Sequence, residues 1–273
     1  MERIGIIAGS GSYPLLLAAA ARAHGAKQVV VVAFEGETSA DITGVVDHVE
    51  WVKVGQLNRL IRAFTDRGVS QAIMAGQVAP KNLFRNLRPD LRLVAMMARL
   101  KEKNAETIFG AVADELKKDG VTLLPATTFM DDYLAPAGPI GKRKPSSEQA
   151  EDIAFGLRLA KGVSAFDIGQ TVVVRNGTVL AVEALEGTDE CIRRGGVLAG
   201  ETGGAVVVKV TKPDQDMRFD VPVVGPRTIE SCAAGRVAVL AVEAGRTLLL
   251  EKEATLAAAD RAKLVMVGAS LKP

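Results

Sequence analysis

Apolar positions follow two rhythms in the first half of this chain. Short unbroken runs, "RIGIIAG" (3–9), "KQVVVVAF" (27–34) and "QAIMAG" (71–76), read as buried strands. Between them, apolar residues recur at helical spacing. "YPLLLAAAARAHG" stops at Gly25, and "QLNRLIRAFTDRG" places Leu57, Leu60, Ile61 and Phe64 on one stripe. "LRLVAMMARLKEK" and "AETIFGAVADELKKDG" continue as helices. Strand–helix–strand alternation with short links predicts a parallel sheet with helices on its faces.

The pattern changes at "GPIGKRKPSS" (138–147), where Gly, Pro and basic residues read as a linker or binding loop. Ser146 with Gln149 forms a capping-box pattern for the helix "EQAEDIAFGLRLAKG". "QTVVVRNGTVLAVEA" predicts a hairpin turning at Asn176-Gly177, and "GRVAVLAVEAGRTLLL" a second hairpin turning at Ala244-Gly245. "GTDECIRRGG" reads as a short helix and "AVVVKV" as another strand. The expectation is therefore an α/β N-terminal domain over 1–135, with a parallel sheet, followed by a mixed α+β domain over 136–273.

Composition narrows the class. The 273 residues are 48% hydrophobic and 24% charged, which is globular, and a net charge of +2 gives no electrostatic reason to propose nucleic acid as a partner. Aromatics make up only 4%, so aliphatic residues must build the core. Cys191 and Cys232 lack metal-type spacing and read as reduced packing residues. "MERIGIIAG" lacks the long apolar region of a signal peptide, and no stretch reaches the roughly 18 apolar residues of a membrane span. A cytosolic protein is expected.

Five stretches carry candidate chemistry. In "GIIAGSGSYP", Gly9 and Gly11 stand between a strand and a helix, where backbone approaches phosphate, but Pro14 replaces the third glycine of a dinucleotide fingerprint. "MAGQVAP" ends another strand and brings Gly76 and Gln77 toward the same crevice. "VEALEGTDE" offers Glu183, Glu186, Thr188 and Asp189 at a helix start, and "GKRKPSSE" offers Lys142, Arg143 and Lys144. "KPDQDMRFDVPVVG" gathers Lys212, Gln215, Asp216, Arg218 and Asp220 between a strand and a constrained Pro-Gly segment. Mg²⁺ takes one or two carboxylates plus phosphate and water, and phosphoryl hydrolysis needs cations on the developing charge. Asp216 and Asp220, with Asp189 or Glu186, fit the carboxylate part; Lys212 and Arg218 fit the cationic part. Solvated loops and a plain helix cap remain open as bland readings of the same residues. His24 and His48 stand outside any motif and read as surface or packing residues.

These segments together, with "KRKPSSEQAEDIAFG", "DIGQTVVV", "VVKVTKPDQDMRFDVPVVG" and "EAGRTLL", resemble the UDP-2,3-diacylglucosamine pyrophosphatases of lipid A biosynthesis. In particular they resemble the cytosolic family that replaces the metallophosphoesterase-type enzyme in some Gram-negative bacteria. The resemblance runs from Gly5 to about Leu250. The chain departs from it at "LLPATTF", read as the end of a central strand, where Pro125-Ala126 stand in place of an acid found in relatives.

The resemblance implies a Rossmann-like N-terminal domain, an unusual C-terminal domain and a homodimer. It implies Mg²⁺-dependent hydrolysis of UDP-2,3-diacylglucosamine to UMP and 2,3-diacylglucosamine 1-phosphate (lipid X), with water attacking the α-phosphorus. It puts Asp220 first as catalytic or metal-binding carboxylate, with Asp216 and Asp189 next. Lys212, Gln215 and Arg218 would hold the pyrophosphate with Thr188 nearby, Arg143 would meet phosphate, and Gly9, Ser10, Gly11 and Gln77 would line the crevice. The lipid substrate implies transient contact with the inner-membrane surface. Two other classes stand beside it: a non-catalytic binder of nucleotide-sugar or lipid, which gains nothing from clustered carboxylates, and an NAD-dependent oxidoreductase.

Overall fold

The structure is a computed structural model that describes residues 2–77, 88–102 and 104–270. The chain forms two compact units. The first comprises residues up to Met130 together with Asp216–Asp220, and the second comprises Asp131–Gln215 and the chain from Val221 onward.

In the first unit, β1 (Arg3–Ala8), β2 (Gln28–Phe34), β3 (His48–Val52), β4 (Gln71–Ala75) and β5 (Thr122–Leu123) form one parallel sheet in the order β3-β2-β1-β4-β5. This is the expected Rossmann-like arrangement. Val29, Val30, Val31 and Val32 are all fully buried, because a parallel strand is covered on both faces. Helices α2 (Leu57–Thr65), α3 (Leu91–Arg99) and α4 (Ala105–Lys118) share a core with the sheet, in which Phe64, Ile61, Met96 and Leu116 meet Val30, Val32 and Val52. Helix α1 (Tyr13–Ala23) buries Leu17, Ala18 and Ala21. Two details differ from the sequence reading. β3 is an additional edge strand, hidden because four of its five residues are only half-buried. The strand ending at "LLPATTF" lies at the sheet edge rather than its centre. Residues 78–80 of the "MAGQVAP" turn lie outside the described residues.

The second unit has a six-stranded sheet in the order β6-β13-β11-β9-β7-β8. Its middle is parallel: β9 (Val206–Lys209), β11 (Val239–Glu243) and β13 (Val265–Ala269). The edges are antiparallel: β6 (Gly138–Ile140) on one side, and the hairpin of β7 (Thr171–Arg175) and β8 (Thr178–Val182) on the other. The hairpin turns at Asn176 (φ 49°) and Gly177 (φ 68°) as expected for a type I′ turn. Buried Asp152 accepts from both turn amides, at 2.8 and 2.7 Å. One face of the sheet is covered by α5 (Ser147–Ala165), whose capping box of Ser146 and Gln149 is complete. The other face packs on α6 (Thr188–Leu198), α7 (Pro226–Ala234) and α8 (Lys252–Arg261).

The second predicted hairpin is corrected. β11 pairs in parallel with β9 and β13, while β12 (Leu248–Leu249) pairs with β10 (Val223–Val224) in a separate two-stranded sheet. Val239–Val242 is buried on both faces, which identifies a central parallel strand rather than half of a hairpin. Among the described residues, no helix is long and apolar enough to cross a membrane.

Candidate active site

In the first unit, the candidates gather at the C-terminal ends of the strands. β1 and β4 are neighbours, but β2 and β3 extend to one side of β1 and β5 to the other, so the strand order reverses here. Such a switch point is where open α/β sheets bind ligands. The backbone N–H and Oγ of Ser10 both donate to the Gln77 carbonyl, at 2.7 and 2.8 Å, lacing the two loops together. A Cβ on Gly9 would stand 2.5 Å from that carbonyl oxygen, and one on Gly76 would stand 2.4 Å from the Ser10 oxygen. Close chain-to-chain approach therefore accounts for Gly9 and Gly76. Gly11 is different: it has φ 88° and nothing within 4 Å of a built Cβ, so only its conformation demands glycine.

The late segment Asp216–Asp220 joins this same unit through Ala126. Tyr13 Oη, just beyond the glycine turn, donates to the Ala126 carbonyl. The Ala126 N–H in turn donates to the Met217 carbonyl at 2.6 Å. Phe219 packs on the core of the unit, with its ring 5.7 Å from that of Phe109. Backbone groups of Ala126 thus tie the glycine turn to the acidic segment.

Within that segment, Arg218 folds back on Asp216. Arg218 Nε lies 3.0 and 3.1 Å from the two carboxylate oxygens, Nη2 lies 2.6 Å from Oδ2, and the Arg218 N–H donates to Oδ1 at 3.0 Å. The guanidinium holds the Asp216 carboxyl below its ordinary range, against partial burial, and Asp216 raises Arg218 in return. Asp216 is therefore already engaged by a cation. Asp220, four residues on, is exposed. Among the described residues, no three His, Cys, Asp or Glu side chains are grouped to hold a metal.

In the second unit, the candidates lie at the C-terminal ends of its parallel strands. Gly187, with φ 82°, precedes α6, and no side chain caps that helix. Thr188 Oγ1 donates to Glu183 Oε1 at 2.9 Å and accepts from Lys209 Nζ at 3.0 Å. Asp189 is held by Ser231 Oγ at 3.0 Å and by Arg227 Nε at 2.9 Å. Gln215 Oε1 accepts from the Lys212 N–H at 2.8 Å and from Gln170 Nε2 at 3.1 Å. Lys212 pairs with Asp167, and Glu186 pairs with Arg194. Arg143 stands apart. It is exposed on the loop after β6, whose Ile140 end pairs with the beginning of β13, so it sits at the opposite end of this sheet from Thr188 and Lys212.

Lys209, Glu243, Lys161, Thr211 and Tyr13 were not picked out by sequence reasoning. The signal for Lys209 and Glu243 is a charge closing a buried strand, in "VVVK" and "VLAVE". A polar cavity of about 410 Å³ beside α2, lined by Glu50, Arg59, Arg62 and Arg67 among others, contains none of the candidate residues. Cys191 and Cys232 are buried and pushed up to about 12 by burial, which removes them as nucleophiles.

The folds of the two units, each with polar groups at the C-terminal ends of its parallel strands, define a two-unit α/β protein. Residues 3–133 match the LpxI N-terminal domain and residues 136–267 the LpxI C-terminal domain, so the chain belongs to the LpxI family. It is 34% identical, over 98% of both chains, to the UDP-2,3-diacylglucosamine pyrophosphatase LpxI of Caulobacter vibrioides. A solved N5-carboxyaminoimidazole ribonucleotide synthetase from Thermotoga maritima aligns with 68% of this chain and 42% of its own. Its 13% identity and TM-score of 0.27 are too low to bear on the fold.

Proposed function

We propose that the chain hydrolyses UDP-2,3-diacylglucosamine to UMP and 2,3-diacylglucosamine 1-phosphate. The observation that carries this reading is the full-length match to a protein named for that pyrophosphatase activity. In the reaction, water forms a bond to the α-phosphorus. The bond from that phosphorus to the bridging oxygen breaks, and the bridging oxygen leaves with the lipid phosphate.

The site chemistry supports the reading. Arg218, oriented by Asp216, presents a planar cation suited to phosphate oxygens. Asp220, exposed on the same segment, is the carboxylate we assign to orient or deprotonate the water. On the second unit, the uncapped start of α6 with Thr188 and Lys209, together with Lys212 and Gln215, offers donors for an anion. Gly11 and the Ser10–Gln77 contact form the wall at the switch point of the first unit.

The residues also suit Mg²⁺, which is held through one or two carboxylates plus substrate phosphate rather than an all-protein cage. Asp220 would be its protein ligand, with Asp216 kept on Arg218, and the ion when bound would neutralise phosphate charge.

The test is direct. Purified protein is incubated with UDP-2,3-diacylglucosamine in ¹⁸O-water, with Mg²⁺ or with a chelator. UMP should form only with Mg²⁺ and should carry the label. Binding without UMP release would turn the reading to a non-catalytic binder, and label in the lipid phosphate would place the attack on the other phosphorus.

A further inference from the structure

Thr211 lies two residues beyond the end of β9 and is completely buried. Its N–H and its Oγ1 both donate to Glu243 Oε2, at 2.8 and 2.7 Å. Its carbonyl accepts from Lys161 Nζ at 2.8 Å, and the same ammonium lies 3.1 Å from Oγ1 and 2.7 Å from Glu243 Oε2. One ion pair thus grips both backbone polar groups and the side chain of a single residue. The Lys161 and Glu243 side chains are 18% and 13% exposed, so the pair is largely removed from water.

The placement follows from strand alternation. Val239 and Ala241 face α5, so Glu243 at the end of β11 does too, and Lys161 reaches it from that helix. Beyond Thr211 the chain is tied again, by Gln215 to the Lys212 N–H and to Gln170 and by Lys212 to Asp167. The next residue is Asp216.

Stability alone is a poor reason for such a network, since well-packed apolar residues of similar volume often serve as well or better. An apolar replacement would lack the directional hold on the Thr211 peptide groups. Catalysis is sensitive to such direction: a misplacement of about 1 Å can cost about a hundredfold in rate.

We infer that Lys161 and Glu243 are positioning residues, which act through Thr211 to fix the stem from which the chain runs to Asp216, Arg218 and Asp220. The inference rests on the hydrolase reading for its kinetic consequence, but not for its structural one.

The experiment uses the full-length protein with Thr211→Val, Thr211→Ser and Glu243→Gln. Thr211→Val replaces the hydroxyl with a methyl and keeps both backbone bonds; Thr211→Ser keeps the hydroxyl as well. The expected result is a kcat about tenfold lower for Thr211→Val and Glu243→Gln, KM changed by less than about threefold, and near-normal kcat for Thr211→Ser. Equal kcat for Thr211→Val, Thr211→Ser and wild type overturns the proposal. So does a rise in KM with kcat unchanged.

A second measurement, amide hydrogen exchange in Lys161→Met, needs no turnover. Exchange should rise at residues 211–220 while β1 and β11 keep their protection, and unchanged exchange at 211–220 also overturns the proposal. Should the wild type itself fail to hydrolyse the substrate, the hydrolase reading falls and hydrogen exchange alone decides the fate of the stem.

Discussion

Arg218 spans both carboxylate oxygens of Asp216, with Nε 3.0 and 3.1 Å from Oδ1 and Oδ2 and Nη2 2.6 Å from Oδ2. Two residues this close in sequence cannot form a long-range staple, so the contact serves chiefly to aim the guanidinium. Its free edge is then available to an anion. Arg218→Ala should lower kcat/KM by about a hundredfold or more, as expected when a donor to developing phosphate charge is removed. Arg218→Lys should recover little, because a point charge cannot reproduce the fork. Asp216→Asn should cost less, and the double variant should be no worse than Arg218→Ala, since both changes remove one unit of function. Steady-state kinetics of the three variants checks this.

Asp220 differs from its neighbour in being exposed. Asp220→Ala should therefore leave stability within about 0.5 kcal/mol, as surface changes do. If it bears the water, kcat should fall by about two to four orders of magnitude. If it also holds Mg²⁺, residual activity in Asp220→Asn should need a higher metal concentration for half-saturation. A denaturation midpoint and a Mg²⁺ titration of activity separate folding from chemistry. Near-normal turnover of folded Asp220→Ala removes the assignment.

Tyr13 tests the link between the glycine turn and the acidic segment. Its buried hydroxyl donates to Ala126, whose N–H holds Met217. Burial pushes the phenol up, so it stays a donor across the working pH range. Tyr13→Phe leaves a buried carbonyl one partner short and should cost about 1–3 kcal/mol. Because Ala126 also carries the acidic segment, kcat should fall as well. Urea denaturation and kinetics on the same preparation read both effects.

Much of this architecture was legible because buried strands announce themselves: Val29–Val32 and Val206–Val208 are apolar on both faces and sit in parallel sheets as that pattern predicts. The pairing of the second glycine turn is not legible locally, because a glycine turn between two apolar runs looks the same whether the second run returns to its neighbour or, like Leu248–Leu249, pairs elsewhere. Partner choice is a long-range property that local pattern does not encode. The chemistry divided in a similar way. The acidic segment and the helix start at Thr188 carry local signals, whereas Lys209, Lys161 and Glu243 gain their meaning only from residues distant in sequence. Arg143 is a further case: its loop sits at the opposite end of the sheet from Thr188 and Lys212, a placement that local pattern does not encode.

The two glycines of the N-terminal turn should respond differently to alanine. Gly9→Ala puts a methyl 2.5 Å from the Gln77 carbonyl oxygen, which is backbone and cannot swing away. The loops must separate, and about 1–3 kcal/mol or more should be lost. Gly11→Ala meets no atom within 4 Å, so its cost is the left-handed conformation alone, about 1–2 kcal/mol. Gly9→Ala should also disturb the Ser10–Gln77 contact and with it substrate affinity. Comparing the denaturation midpoints with KM distinguishes packing from conformation.

Glu243 sets an acid limit on the stem. Burial pushes its carboxyl up, but hydrogen bonds from Lys161 and from Thr211 Oγ1 and N–H outweigh burial, and the carboxyl ends below its ordinary value of 4.5. A group depressed in the folded state stabilises the fold above its unfolded value. That contribution is lost as pH falls through the folded value, because the unfolded chain then binds the proton more readily. Wild type should therefore be progressively less stable below about pH 4.5, with a slope that Glu243→Gln lacks in part. The stability difference between wild type and Glu243→Gln should be largest near neutrality and shrink on acidification. Denaturant unfolding of both proteins from pH 7 down to pH 3 measures it, and a difference independent of pH would show that the carboxylate charge plays no part in holding Thr211.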